Sequence, residues 1–162
     1  MKQAFYYDTI IGQVWFVSAD GFLTNLVFGA PPGEVEVMES AIIWEAYLQL
    51  REYLQSGRVS FDIPLKFQGT PFMSKVWDAI RSIPYGETRT YRDIARMTGN
   101  EKAVRAVGLA NHYNPLAIII PCHRVVGEQG KLVGYTGGIN IKRKLLEIEN
   151  RRRFNPGAFF PS

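Results

Sequence analysis

The chain has 162 residues, of which 46% are apolar, enough to bury one solid core or two small lobes sharing one. Charged residues make up 21% and the formal net charge is +4, a mild basicity that permits a nucleic-acid partner without demanding one. A single cysteine excludes an internal disulfide and any zinc site built on several thiolates. The opening MKQAFYYDTI lacks the apolar core of a secretion signal, and the longest apolar run, around LAIII, is far too short to cross a bilayer. These features predict a soluble cytoplasmic protein in a reducing compartment, without membrane contact.

Residues 2–28 read as strands. QVWFVSADGFLTNLVFG is two β-rich runs about an ADG turn, a hairpin signal, and KQAFYYDT predicts a third strand. PPG at 31–33 breaks the pattern. Residues 35–55 then turn helical, with Ile43, Tyr47, Leu50 and Leu54 at helical spacing, and SGR ends that helix. A short strand is expected over 58–63, followed by a connector.

The next helix opens at TPFMSKVWDAI. Thr70 suits the N-cap and Pro71 the first helical position, and Phe72, Val76, Trp77 and Ile80 form one apolar stripe. IPYGET stops it. Thr90 then caps YRDIARM, with Asp93 as its capping-box partner. TGN at 98–100 is a tight break before a second short helix, EKAVRAVGLANHY, which ends at NP, 114–115. Two short helices joined by a three-residue turn containing glycine predict a helix-turn-helix. LAIII is expected as a buried strand-like run, 127–138 as a loop, and INIKRKLLEIEN as a final amphipathic helix.

The second helix of the pair is made mostly of small residues: Ala103, Ala106, Gly108 and Ala110. A glycine inside a helix costs about 1 kcal/mol relative to alanine, which a closely approaching surface would justify. That surface is either another helix or the floor of a nucleic-acid groove. Arg105 stands among the small residues, and Lys102 and Arg92 lie nearby.

The lone cysteine, Cys122, sits in IPCHRVVG directly before His123. A free cysteine after an apolar run often serves as a small buried hydrophobe. A histidine that extracts its proton would instead make it a nucleophile. Adjacent residues in an extended chain face opposite ways, so such a pair needs a turn or a bridging water. The histidine also needs an acid to fix its tautomer, and Glu147 and Glu149 on the last helix are the candidates.

IPCHRVVG resembles the active-site signature of the O6-alkylguanine-DNA alkyltransferases, or methylated-DNA–protein-cysteine methyltransferases. VWDAIRSIPYGETRTYRDIA, KAVRAVGLANHYNP and GYTGGINIKRKLLEIE are similar to the family's other blocks, in the same order. The resemblance covers about residues 70–150. It implies an irreversible, single-turnover suicide enzyme of direct DNA repair. A damaged base is flipped out of double-stranded DNA held through its minor groove, and the alkyl group passes from O6 of guanine, with O4 of thymine a further candidate, to Cys122. His123 would relay the thiol proton through water and Glu149 would orient His123. Asn114 would tie the recognition helix to the active-site segment. Tyr91, Val125, Tyr135 and Thr136 would hold the substrate, Thr136 through its backbone N–H. Arg105 would fill the gap left by the extruded base, with Lys102, Arg92, Ala106 and Gly108 also at the DNA, and Arg124 would be structural. No cofactor, no metal and no obligate protein partner are implied, and cooperative assembly on DNA is left open.

The expected fold is α/β (α+β). A lobe over 1–63 carries a small three-stranded antiparallel sheet and a helix, and 64–70 is a connector. A mostly helical lobe over 71–150 carries the winged-helix-like helix-turn-helix, and 151–162 is a tail. Two departures concern substrate preference: some members have proline where this chain has Ala117 and glycine where it has Val133, both expected to border the pocket. The rival functions are a damage sensor without chemistry, which would lack the acceptor cysteine, and a cysteine hydrolase, which would turn over repeatedly and would not need Arg105 on a helix-turn-helix.

Overall fold

Asp20 and Gly21 both adopt positive φ, 53° and 80°, the backbone that a tight hairpin turn between right-twisted strands requires. That turn joins β2 (Gly12–Ala19) to β3 (Phe22–Phe28), and β2 also pairs antiparallel with β1 (Lys2–Thr9). The three antiparallel strands are those expected. A fourth, β4 (Val35–Val37), adds parallel to β1 and gives the order β3-β2-β1-β4. The segment 35–37 is therefore strand, not helix. The helix α1 (Ala41–Gln55) starts only after Ser40, whose hydroxyl accepts from the Ile43 N–H. The computed structural model describes residues 1–154.

One face of α1 packs Ile43, Ala46, Leu50, Tyr53 and Leu54 into the core, against Val14 and Phe16 of β2 and Leu23 and Leu26 of β3. Gln49 on the same helix is also buried, because its side-chain amide donates to the Asp62 carbonyl at 3.0 Å and accepts from the Asp62 N–H at 2.8 Å. This explains why 58–63 is not the expected strand: the backbone partner at Asp62 is a glutamine side chain, not a neighbouring strand.

The free edge of β3 is covered from two directions. The Leu23 N–H donates to Pro64 and the Lys66 N–H to Leu23, while the Leu26 N–H donates to Pro115 and the Ala117 N–H to Leu26. A bare strand edge is a liability, and here the connector and a segment before the cysteine occupy it. The same bonds join the two halves of the chain, whose buried apolar side chains form one continuous core.

Local signals explain the following helices. Thr70 caps α2 (Pro71–Arg81), and its hydroxyl accepts from the Met73 N–H. Trp77 of α2 is buried and its indole N–H donates to the Ala110 carbonyl at 2.9 Å, pinning α2 to α4 (Val104–His112). The capping box of α3 (Tyr91–Met97) is complete: Thr90 N–H to Asp93, and Asp93 N–H to the Thr90 hydroxyl. The turn between α3 and α4 is six residues, not three. Asn100 accepts the Lys102 N–H at 3.1 Å, a local bond that competes with an earlier helix start.

Leu116–Ile120 is buried as expected, apart from the half-buried Ile119, but is no strand. It folds back on itself, with Ile119 N–H to Ala117 and Ile120 N–H to Leu116, and Ile118 takes a φ of 72°. That conformation is an outlier for a β-branched residue. A 3-10 turn, Cys122–Arg124, follows Pro121, and β6 (Val125–Val126) then pairs parallel with β5 (Arg89–Thr90). The last helix, α5 (Ile139–Phe154), continues into the expected tail. The rest of that tail, 155–162, lies outside the described residues. Among the described residues no helix is long and apolar enough to cross a membrane.

Candidate active site

Cys122 lies at the start of the 3-10 turn, 1% exposed, with its N–H donating to Ile120 at 2.7 Å. The turn that an adjacent Cys-His pair needs is therefore present, but it points His123 into α5. His123 Nε2 lies 2.7 Å from Glu149 Oε2, and both side chains are buried. Glu147 is exposed, which leaves Glu149 as the acid of the pair.

Glu149 is the hub of this cluster. Arg124 donates to it twice, Nε to Oε1 at 2.8 Å and its second amino group to Oε2 at 2.9 Å, while its other amino group donates to Ile83 at 2.8 Å. The Gly86 N–H reaches Oε1 at 3.3 Å, and the Tyr53 hydroxyl donates to Oε2. Burial alone would push the Glu149 carboxyl up, but His123 and Arg124 outweigh it and hold it well below the usual carboxylate range. A carboxylate only accepts, so the hydrogen in its bond to His123 sits on Nε2. Nδ1 is buried, makes no hydrogen bond among the described residues, and is the nitrogen left to take a proton. Burial lowers the pKa of His123 below its ordinary value, and the Glu149 charge partly restores it.

Burial pushes the Cys122 thiol up to about 11, while Asn114, Lys142 and Tyr135 pull the other way. At pH 7 such a thiol is ionised in about one molecule in ten thousand, so chemistry at this sulfur needs a proton acceptor. Asn114 is buried and braces the turn before the cysteine: its amide donates to Ile120 at 2.8 Å and its oxygen accepts from the Leu116 N–H at 2.9 Å.

The loop over the cysteine is held by Tyr91 and Lys142. The Tyr91 hydroxyl donates to the Val133 carbonyl at 3.1 Å. Lys142 is fully buried and its ammonium donates to the carbonyls of Val125 at 2.6 Å, Gly134 at 3.1 Å and Val133 at 3.2 Å. Burial draws Lys142 down to about 8, and the Cys122 charge acts against that shift. Val125 is buried with its carbonyl taken by Lys142. Tyr91, Tyr135 and Thr136 do meet at one cavity of about 250 Å³, together with Gly108, Asn111, His112 and Gly134. Ala117 and Val133 do not line it. Ala117 is buried against β3, and Val133 is exposed, with its side chain beside Gly127.

The outer face of α4 and the turn before it present Lys102, Ala103, Arg105, Ala106, Gly108, Leu109 and His112 around a shallow, apolar-walled depression. A Cβ placed on Gly108 meets nothing within 4 Å, so no neighbouring helix accounts for this glycine. Arg105 and Ala106 are exposed, and Arg105 makes no hydrogen bond or ion pair among the described residues. Arg92 lies apart from this face, on α3, 3.7 Å from Glu128 in an exposed pair.

Nothing local in the sequence marks Tyr53 or Lys142. Lys142 is one cation in the basic run KRK, and Tyr53 is one aromatic on an apolar helix face. Only long-range contacts distinguish them.

A helix-turn-helix whose outer helix is small and open, above a buried cysteine backed by a histidine–glutamate pair, defines a DNA-binding domain with a nucleophilic centre. Residues 71–151 match the family model described as 6-O-methylguanine DNA methyltransferase, DNA binding domain. A methylated-DNA–protein-cysteine methyltransferase of Methanosarcina acetivorans is 45% identical over 148 residues, covering 88% of this chain and 95% of that protein. One from Mycolicibacterium paratuberculosis is 52% identical over 155 residues, covering 93% of each. A solved structure of Mycobacterium tuberculosis OGT in complex with DNA superposes with a TM-score of 0.85 at 44% identity, covering 93% of this chain and 94% of that one. The chain belongs to the methylated-DNA–protein-cysteine methyltransferase family.

Proposed function

We propose that this protein repairs duplex DNA by moving an alkyl group from O6 of guanine to the sulfur of Cys122, with residues of 71–150 reacting and those of 1–63 supporting them. The observation that carries the assignment of residues is the buried His123–Glu149 pair behind the cysteine, set beneath the open face of α4.

α4 enters the minor groove, where small side chains allow close approach, and Arg105 takes the place of the extruded base. Lys102 and the surrounding backbone hold phosphates, and Arg92 joins them on leaving Glu128. The flipped base passes between α4 and the loop, beside Tyr91, Tyr135 and the Thr136 N–H. Tyr91 must give up its bond to Val133 for the base to approach the sulfur.

The thiol proton passes through a water molecule to His123 Nδ1, and Glu149 stabilises the imidazolium. The thiolate attacks the alkyl carbon, a C–S bond forms, and the C–O6 bond breaks with its electron pair leaving on the guanine. The loop N–H stabilises that developing charge with a hydrogen bond, Tyr91 gives the guanine its proton and regains one from solvent, and His123 releases the thiol proton to solvent. The products are unmodified guanine and S-alkylcysteine. A thioether does not hydrolyse under these conditions, so one chain repairs one lesion. The site of action is the cytoplasm, at the nucleoid if the source is prokaryotic.

Titrating a fixed amount of protein with duplex bearing O6-methylguanine tests this reading. Repair should stop at one lesion per chain, and Cys122→Ala should bind the duplex without repairing it. Many lesions repaired per chain, or repair by the alanine variant, would overturn it.

A further inference from the structure

We infer that Tyr53, supplied by α1 from the N-terminal half, is a positioning residue for alkyl transfer: its hydroxyl fixes the Glu149 oxygen that orients His123. This rests on the proposed role of His123 as proton acceptor. Glu149 Oε2 accepts from His123 Nε2 at 2.7 Å, from Arg124 at 2.9 Å and from the Tyr53 hydroxyl. The hydroxyl also lies 3.3 Å from His123 Nε2, so it touches both members of the pair at the atoms they share.

Tyr53 is 1% exposed, and its ring is boxed by Phe61 at a centroid distance of 5.5 Å and by Tyr85, edge-on, at 6.2 Å. A ring held this way aims its hydroxyl at one place. The titratable and charged groups around it are Glu149 on α5, His123 and Arg124 on the 3-10 turn, and Tyr85 after α2. Burial first, and then the Glu149 charge, raise the Tyr53 pKa well above the ordinary phenol value, so the hydroxyl stays a donor throughout the working range. Apolar packing alone would be satisfied by phenylalanine. The hydroxyl is explained by the carboxylate it meets.

The expected effect has a sign. A donor on Oε2 draws charge from the carboxylate and weakens its hold on an imidazolium. Removing the donor leaves His123 easier to protonate but less firmly oriented, and the lost orientation, which outweighs the gain in proton affinity, is what slows transfer.

The test uses the full chain with Tyr53→Phe, and a second form carrying 3-fluorotyrosine at 53, which keeps the shape and makes the hydroxyl a stronger donor. Nitrogen-15 NMR of the imidazoles, read against pH, follows His123 without any DNA, and the chain has only one other histidine, His112. Wild type should show one Nε2-protonated tautomer for His123. Tyr53→Phe should move the His123 titration up, the fluorinated form should move it down, and Tyr53→Phe should slow single-turnover alkyl transfer about tenfold. A lowered melting temperature with an unmoved tautomer, titration and pH–rate profile would reduce Tyr53 to a packing residue. NMR shifts of the expected sign without any change in transfer rate would keep the contact and overturn the proton-acceptor role of His123.

Discussion

His123 and Glu149 meet at 2.7 Å where neither side chain touches solvent, and the carboxylate is also gripped by Arg124. Glu149→Gln keeps the shape and removes the charge. His123 loses the partner that raises its proton affinity, so the thiol gives up its proton less readily. Single-turnover transfer is expected to slow by about 100-fold, with the thiol limb of the pH–rate profile moved to higher pH. The variant should also lose about 3–5 kcal/mol of stability, because Arg124 is left buried without its counter-charge. An unchanged pH–rate profile would count against the pair.

The same groups set the acid sensitivity of the fold. Glu149 titrates below its unfolded value of 4.5, so its stabilisation is present above that pH and is lost as pH falls toward the folded value. His123 titrates below its ordinary 6.5, so on acidification the unfolded chain takes up that proton first. Both effects weaken the fold as pH drops. The melting temperature is expected to decline from about pH 6.5 and more steeply below about pH 4.5, with Glu149→Gln flattening the lower part. Melting curves between pH 7 and 4 check this, and a flat profile would contradict it.

Arg105→Ala is expected to impair repair of duplex DNA far more than reaction with a free modified guanine base. The side chain makes no hydrogen bond or ion pair among the described residues and stands exposed on a face of small residues, free to enter the duplex. Extruding a paired base costs a few kcal/mol, which an inserted side chain offsets in part, whereas a free base has no stack to leave. Single-turnover rates on the two substrates decide the matter. Equal losses would place Arg105 in support of the fold or the active site.

Gly108 separates fold from DNA contact in the opposite sense. A Cβ there has open space around it, so Gly108→Ala should stabilise α4, by about 0.5–1 kcal/mol. The added methyl lies on the face proposed to enter the groove, so duplex affinity should fall. Thermal melts and duplex titrations at fixed salt measure both, and unchanged affinity would move the groove contact off this face.

What was legible in the sequence was what adjacent residues decide. The Thr90–Asp93 capping box, the Thr70–Pro71 helix start and the Asp20–Gly21 turn each depend on side chains a few positions apart. The cysteine block and Glu149 were legible through the resemblance. The misses share a different physics. Segment 58–63 lacks a strand because Gln49, 13 residues earlier, takes the Asp62 backbone. Leu116–Ile120 turns back through an Ile118 conformation that its side chain disfavours, imposed by burial and by bonds to β3 and Asn114. Tyr53 lies 70 positions from His123 and 96 from Glu149, and no local pattern marks its hydroxyl. Ala117 illustrates the limit of residue-by-residue comparison: its N–H is committed to Leu26, a bond that proline cannot make.

The most direct measurement is the intact mass of the chain, followed by peptide mapping, after incubation with duplex DNA carrying one O6-methylguanine. The account predicts a gain of one methyl group per chain, located on Cys122, with the guanine restored. An unmodified chain over repaired DNA, or the methyl group on any other residue, would contradict it.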